Sequence, residues 1–296
     1  MGQKCGFVAV IGSPNTGKST LVNALVGEKV SIVSPKAQTT RNKILGIKNT
    51  DDYQIVFIDT PGVMNGKNAL ATVIKNNSKI YDGEADVIMF VLDGSSPKEG
   101  DYKLIEKYKN FPAKKIVVIN KIDKVKAPKV FQTLEKLNAY TFVDEFISLS
   151  ALTGKNVDKL FEILVNMLPE GERVFDEDIY SDKPLSFLTA EIVREKLLLK
   201  LRDEIPHTVA VVTDEFNEKK NIVVISHTII VENENHKQIV IGEGGAMLKN
   251  IGTLARRDIE KMLGKKVLLN LFVKVKKDWT GKPHLVQDFV QGGSDK

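Results

Sequence analysis

The sequence predicts an α/β protein in two parts: a doubly wound, mostly parallel sheet over residues 1–170, then a smaller α+β module. Three observations carry this. Five apolar, β-branched runs alternate with helix-like segments through the first half. Beyond an acidic stretch with Pro at both ends, residues 169–184, the order of elements changes. A glycine-rich turn, GEGG at 242–245, then leads into a helical pattern.

In chain order, FVAVI (7–11), YQIVFI (53–58), DVIMFVL (86–92), KIVVIN (115–120) and EFISLS (145–150) read as strands covered on both faces. STLVNALVG, YKLIEKYK, VFQTLEKLNAY and VDKLFEILVNML supply the intervening helices. Residues 171–182 read as a linker. Residues 183–290 begin with a helix, AEIVREKLLLKLRDE, followed by the strands TVAVVTDEF and NIVVISHTIIVE. A turn is expected at ENENHKQ, then the glycine corner, the helix TLARRDIEKMLG and a last strand, KVLLNLFVKVKKDW. The order is α–β–β–α–β, with a frayed tail at 291–296.

At 296 residues the chain is long enough for two cores. No stretch approaches the roughly 20 apolar residues of a membrane span, and the first strand lacks a cleavage signature. Myristoylation at Gly2 would want Ser or Thr at position 6, which is Gly6. The single cysteine, Cys5, excludes an internal disulfide and suits a reducing cytosol. Charge is uneven: residues 171–239 carry 9 Lys and Arg against 14 Asp and Glu, whereas 240–282 carry 10 against 4. A basic surplus that begins at the glycine turn hints at a polyanionic partner.

The chemistry is clearest at GSPNTGKST, Gly12 to Thr20, which follows a strand and opens a helix. This is the phosphate-loop pattern, in which backbone N–H groups converge on phosphates. Gly12, Asn15, Thr16, Gly17, Lys18, Ser19 and Thr20 belong to it; Lys18 is placed for the β and γ oxygens and Ser19 for Mg²⁺. Downstream, IDTPG puts Asp59 at a strand end to hold Mg²⁺ through water, and Gly62 to offer its N–H to the γ-phosphate. NKID supplies Asn120, Lys121 and Asp123. A carboxylate at Asp123 accepts from guanine N1–H and the 2-amino group, whereas adenine would leave it unpaired. SAL, Ser150 to Leu152, offers the Ala151 N–H to guanine O6. Thr39 and Thr40 compete to be the mobile Mg²⁺ ligand, with Thr40 favoured.

In the second part, a dinucleotide fingerprint would need glycine at Met247, and no second phosphate-loop lysine is present. Gly242-Glu243-Gly244-Gly245 instead fits the G-x-x-G turn with which KH modules grip about four nucleotides. Lys249, Arg256, Arg257 and Lys261 follow on the helix, and Lys274, Lys276 and Lys277 on the last strand. Glu243 is out of place among phosphates unless it points away or pairs with Lys249 or Lys237. The four histidines show no metal spacing. Trp279 is expected to pack against the last helix, and Asp93 to be a turn acid.

These residues together resemble the translation-factor-related GTPases and, within them, the Era family. The marks are GSPNTGKST, VSIVSPKAQTTRNKILGI, DTPG, NKID and SAL, then FLTAEIVREKLL, EIPHTVAVV and the glycine corner, over nearly the whole chain. The stretch after DTPG departs: GVMNGKNALA stands where the family tends to have His-Lys-Pro. The resemblance implies a P-loop GTPase domain followed by a type II KH domain. It implies a slow GTPase, GTP to GDP, with Mg²⁺ and a hydrophobic residue, here Val63, after the DTPG glycine. Related enzymes with Asn in the phosphate loop use K⁺, so Asn15 implies K⁺-assisted hydrolysis. Binding near the 3′ end of 16S ribosomal RNA during 30S subunit assembly is also implied. A cytoplasmic monomer is expected, whose basic face would also attract the inner face of the cell membrane. Two rival readings are an RNA-assembly factor with negligible hydrolysis and a membrane-linked signalling GTPase.

Overall fold

The computed structural model describes residues 3–36, 39–62, 68–80 and 83–290. Gly2, Val63, Met64 and the tail 291–296, invoked above, lie outside the described residues. The chain divides into two compact units, Met1–Ser31, Lys43–Val63 and Asn77–Asp182 in one, and Ile32–Asn42, Met64–Asn76 and Lys183–Lys296 in the other.

In the first unit, strands β1 (Lys4–Ile11), β2 (Ile44–Asn49), β3 (Tyr53–Asp59), β4 (Val87–Asp93), β5 (Lys114–Asn120) and β6 (Glu145–Ser148) form one sheet. Their order is β2-β3-β1-β4-β5-β6, parallel except for β2 against β3. Helices α1 (Lys18–Val26), α3 (Glu99–Lys107), α4 (Ala127–Leu137) and α5 (Val157–Met167) pack on it. Two clusters show that both faces are covered: Val8, Val10, Phe57 and Met89 lie with α1 and α5, and Ala9, Ile58, Phe90 and Val117 with α3 and α4. That double burial is why these strands read as continuous apolar runs. The edge strand β2 was not foreseen, because Gly46 and Lys48 break its pattern.

The stretch read as a linker is bonded into this unit. The Ile47 N–H donates to Tyr180 O at 2.9 Å and the Leu45 N–H to Asp182 Oδ1 at 2.8 Å. Buried Gln54 accepts from the Val174 and Phe175 amides at 2.8 and 3.0 Å and donates to Phe175 O at 2.8 Å. One side-chain amide thus supplies the pairing that a neighbouring strand would.

The second unit holds a three-stranded sheet of β7 (Ala210–Glu218), β8 (Ile222–Val231) and β9 (Lys266–Val275). β7 runs antiparallel to β8, and β9 runs parallel to it. Helices α6 (Leu185–Lys200), α7 (Glu234–Ile241) and α8 (Ala246–Leu263) pack on one face through Ile192, Val240, Ile251 and Ile259 against Val223, Ile225 and Val267. The expected turn at ENENHKQ is helix α7 instead. Asn233 caps it, accepting the His236 N–H at 2.8 Å, and the segment is too short to show a helical period. On the other face, α2 (Ala69–Asn77) and α9 (Pro283–Val290), neither foreseen, enclose Trp279 with Ala210 and Ile230. Trp279 is fully buried and its Nε1 donates to Thr208 O at 2.8 Å, so it packs rather than stacks on a base. No described helix is long and apolar enough to cross a membrane. Replacing Trp279 with Ala should cost about 3–5 kcal/mol of unfolding free energy, measured by urea denaturation with near-UV circular dichroism.

Candidate functional site

The phosphate loop joins β1 to α1, and its shape is set by contacts around it. Gly17 has φ +95°, and a Cβ there would lie 2.4 Å from Asn120 Nδ2, so only glycine fits. Lys18 is buried; its Nζ donates to the Gly12 and Ser13 carbonyls at 2.9 Å each. Burial pushes its pKa down to about 8, against the pull of Asp59 and Asp101. The Ser19 hydroxyl donates to Asp59 Oδ2 at 2.8 Å. Burial raises the Asp59 pKa, and its other oxygen, Oδ1, is buried with no hydrogen-bond partner among the described residues. Such an oxygen is costly unless a cation or its water shell meets it, so Ser19 and Asp59 fit a hydrated divalent ion. Gly62 lies against Pro14 of the loop.

A second hollow, of ≈ 140 Å³, opens beside the loop between the ends of β5 and β6. Gly17, Thr20, Asn120, Lys121, Asp123, Ala151 and Leu152 line it, together with Lys124, which the sequence reading passed over. Asn120 is 1% exposed and organises it: Nδ2 donates to Thr16 O at 3.0 Å, and Oδ1 accepts from Lys121 N at 2.8 Å and Ala151 N at 2.9 Å. The Ala151 amide, expected to face a base oxygen, therefore bonds Asn120 here; the donor contact to Thr16 turns the amide oxygen toward it. Asp123 Oδ1 accepts the buried Ser150 hydroxyl at 2.6 Å, which fixes the carboxylate at the mouth of the hollow. Leu152 is 73% exposed and forms its rim.

Asp93 proves to be more than a turn acid. Its Oδ2 accepts Lys121 Nζ at 2.6 Å, and that ammonium also donates to the Asn15 carbonyl. Asn15 itself sits at φ 66°, in the left-handed region. Burial opposes ionisation of Asp93, yet hydrogen bonds from Lys121 and Ser95 hold its carboxyl below the ordinary range. The Lys121 stem is thereby stretched between β4 and the phosphate loop. The aspartate at the end of an apolar strand was visible in the sequence; its partner was not, because pairing depends on the β4–β5 register.

Thr39 and Thr40 belong to the second unit, in which segment 32–42 is bonded to the C-terminal half. Glu195 accepts the Val33 N–H at 2.9 Å, Arg194 donates to Thr39 O, and Asn42 Nδ2 donates to Val290 O at 2.6 Å. Buried Arg41 donates to Val209 O at 2.7 Å and His207 O at 2.9 Å. The Thr39 hydroxyl is engaged within the segment, with Lys36 O at 2.8 Å and Ser34 Oγ at 2.7 Å. Thr40 is buried.

The glycine turn separates α7 from α8. Gly242 has φ 73° and ψ 170°, and a Cβ there would meet Met247 N at 2.9 Å, which excludes other residues. Gly244 and Gly245 continue at φ 55° and 79°. Beside the turn runs a groove of ≈ 570 Å³ between α8 and β9. Gly245, Lys249 and Arg256 line it along one helix face, with Leu269 and Leu271 opposite. Arg257, one residue on, is not among the lining residues. Leu248, Gly252 and Thr253 line it as well; their three- and four-residue spacing from Gly245 and Lys249 was the available signal. Glu243 is exposed and joins no ion pair among the described residues; Lys237 pairs with Glu234 at 4.0 Å instead. An acid just ahead of α8 is favoured by that helix's N-terminus.

Asp93→Asn should keep the Ser95 contacts and remove the charge that holds Lys121. For a partly exposed pair the loss is about 1 kcal/mol, or roughly fivefold weaker GDP binding. Combined with Lys121→Met, the losses should be non-additive in a double-mutant cycle read by stopped-flow dissociation.

Two family models match the chain: a 50S ribosome-binding GTPase over residues 7–121 and a KH domain over 204–280. Among solved structures, a point variant of Aquifex aeolicus Era bound to GDP and AlF4⁻ is 42% identical, with a TM-score of 0.91. The match covers 97% of this chain and 99% of that one. A structure of Era with MgGDPNP and nucleotides 1506–1542 of 16S ribosomal RNA is also 42% identical, with a TM-score of 0.90 and the same coverage. Identity at this level over nearly both whole chains, on a phosphate-loop unit followed by a KH unit, makes this chain a member of the Era family of GTPases.

Proposed function

We propose that the chain binds and hydrolyses GTP in the first unit and holds 16S ribosomal RNA in the groove beside Gly242–Gly245, assisting assembly of the 30S subunit. The observation that carries this is the presence in one chain of a guanine-type hollow, an orphaned Asp59 oxygen beside Ser19, and a G-x-x-G groove. The match to the relative solved with both MgGDPNP and 16S RNA covers 97% of this chain and 99% of that one.

In this reading Lys18 exchanges its two loop carbonyls for phosphate oxygens. Asp123, fixed by Ser150, receives the two guanine donors, and Lys121 lays its stem along the base. Ser19, Asp59 through water and Thr40 would hold Mg²⁺, which supplies charge neutralisation at the β- and γ-phosphates. Thr40, buried in segment 32–42, is proposed as the switch ligand. Drawing Thr40 to a nucleotide breaks bonds that segment 32–42 makes to the KH unit, so nucleotide state and RNA affinity are linked. Asn15, exposed at the loop's crest, is proposed to recruit K⁺ to the phosphates.

Replacing Glu243 and Gly244 together by Asp should weaken binding of a 16S 3′-terminal RNA at least tenfold in a filter assay and leave GDP affinity unchanged. Parallel loss of both would point to misfolding, whereas unchanged RNA affinity would sink the RNA reading of the turn. GTP turnover should be several-fold faster in K⁺ than in Na⁺ buffer at equal ionic strength; equal rates would remove the role of Asn15.

A further inference from the structure

Strand β9 has two faces with different fates. Its odd-numbered Leu269 and Leu271 line the groove, and Val267 is buried against the helices. Its even-numbered residues, Lys266, Leu268, Asn270, Phe272 and Lys274, alternate onto the opposite face. There Phe272 is 57% and Leu268 49% exposed, and neither joins an apolar cluster among the described residues. β9 is also the sheet's edge, paired to β8 alone among the described strands. An exposed phenylalanine on an open edge strand invites aggregation and is usually selected against unless it has a use.

The charge of that face says what the use is. Lys266 and Lys274 flank the two apolar side chains on β9, and both are exposed. The acids of the same sheet, Asp214, Glu215 and Glu218, stand on β7, two strands away: the first two accept the Thr228 and Ser226 hydroxyls at 2.7 and 3.4 Å, and Glu218 pairs with Lys265, just ahead of β9. The β9 strip therefore offers cations and an aromatic ring on a strand that itself carries no carboxylate. Basic residues interleaved with a stacking ring are how proteins hold single-stranded nucleic acid regardless of sequence. A G-x-x-G turn grips only about four nucleotides.

We propose that the outer face of β9 is a second contact site for the single RNA strand that the groove holds, with Phe272 stacking on a base that has passed over the β9 edge. Lys266 and Lys274 neutralise phosphates on either side of that base. This rests on the RNA reading above and adds to it a site that the glycine turn does not contain. A peptide strand pairing with the β9 edge, or a second copy doing so, is opposed by the lysines that stand along it.

The test uses the full chain with nested fragments of 16S nucleotides 1506–1542, the RNA bound in the related structure, from four nucleotides upward. The native chain should gain affinity in a step once fragments outgrow the groove. Phe272→Ala should abolish that step, a loss of about tenfold, while affinity for the shortest bound fragment stays native. Phe272→Trp, keeping a stacking ring, should restore the step; its failure to do so overturns stacking. A step undiminished in Phe272→Ala, or an equal loss at every length, overturns the second site while leaving the groove intact. Native chain that binds no fragment overturns this site and the RNA reading together. A shift of the native chain to dimer in light scattering, abolished by Phe272→Ala, assigns the face to self-association and overturns it too.

Discussion

One buried amide holds the nucleotide cleft together. Asn120 touches three loops at once: the phosphate loop through Thr16, the loop after β6 through Ala151, and its own through Lys121. Each contact is a hydrogen bond worth about 1 kcal/mol net. At 1% exposure, however, any partner lost would leave a polar group stranded. The geometry is therefore cooperative. Gly17 must lack a side chain because the Asn120 amide occupies that space, and Lys121 can reach Asn15 only because its backbone is pinned. Loops that would otherwise move independently present a single preformed surface, which lowers the ordering cost of binding.

Much of this was legible in advance because it is local. A phosphate loop, an acid at a strand end and an NKID string are each a few residues long, and alternation of strand and helix supplied their order. What escaped depends on distant pairing. Asp93 acquires its role from the β4–β5 register, and Lys124 from the way the loop after β5 folds over. β2 was hidden because Gly46 and Lys48 interrupt its apolar pattern, and α7 because eight residues hold barely two turns. The acidic stretch at 171–182 looked like a linker by composition. Its hydrogen bonds to Gln54 and β2 could not be inferred, since one buried glutamine does what a strand would do.

The segment bearing Thr39 and Thr40 shows a different kind of illegibility. Its polar, proline-containing sequence suggests a solvated loop, yet Arg41 is buried and donates to the His207 and Val209 carbonyls. Glu195, which holds Val33, also pairs with Lys196, and Lys196 with Asp258 on α8. The helix that lines the groove beside the glycine turn thus shares a charged network with the segment proposed to sense the γ-phosphate. Linkage is reciprocal: whatever free energy nucleotide exerts on that network, RNA must exert on nucleotide.

The exposed Glu243 bears on the physics of RNA association in a further way. Affinity for a polyanion normally includes the entropy of counterions released as cations displace them. A groove whose lining cations are Lys249 and Arg256, with a carboxylate at the turn beside them, releases few ions on balance. Binding at the groove is therefore expected to draw on the backbone amides of the turn and on contacts to the bases, with counterion release left to cations outside it such as Lys266 and Lys274. Such binding at the proposed groove is expected to persist at ionic strengths that strip off purely electrostatic RNA-binding proteins.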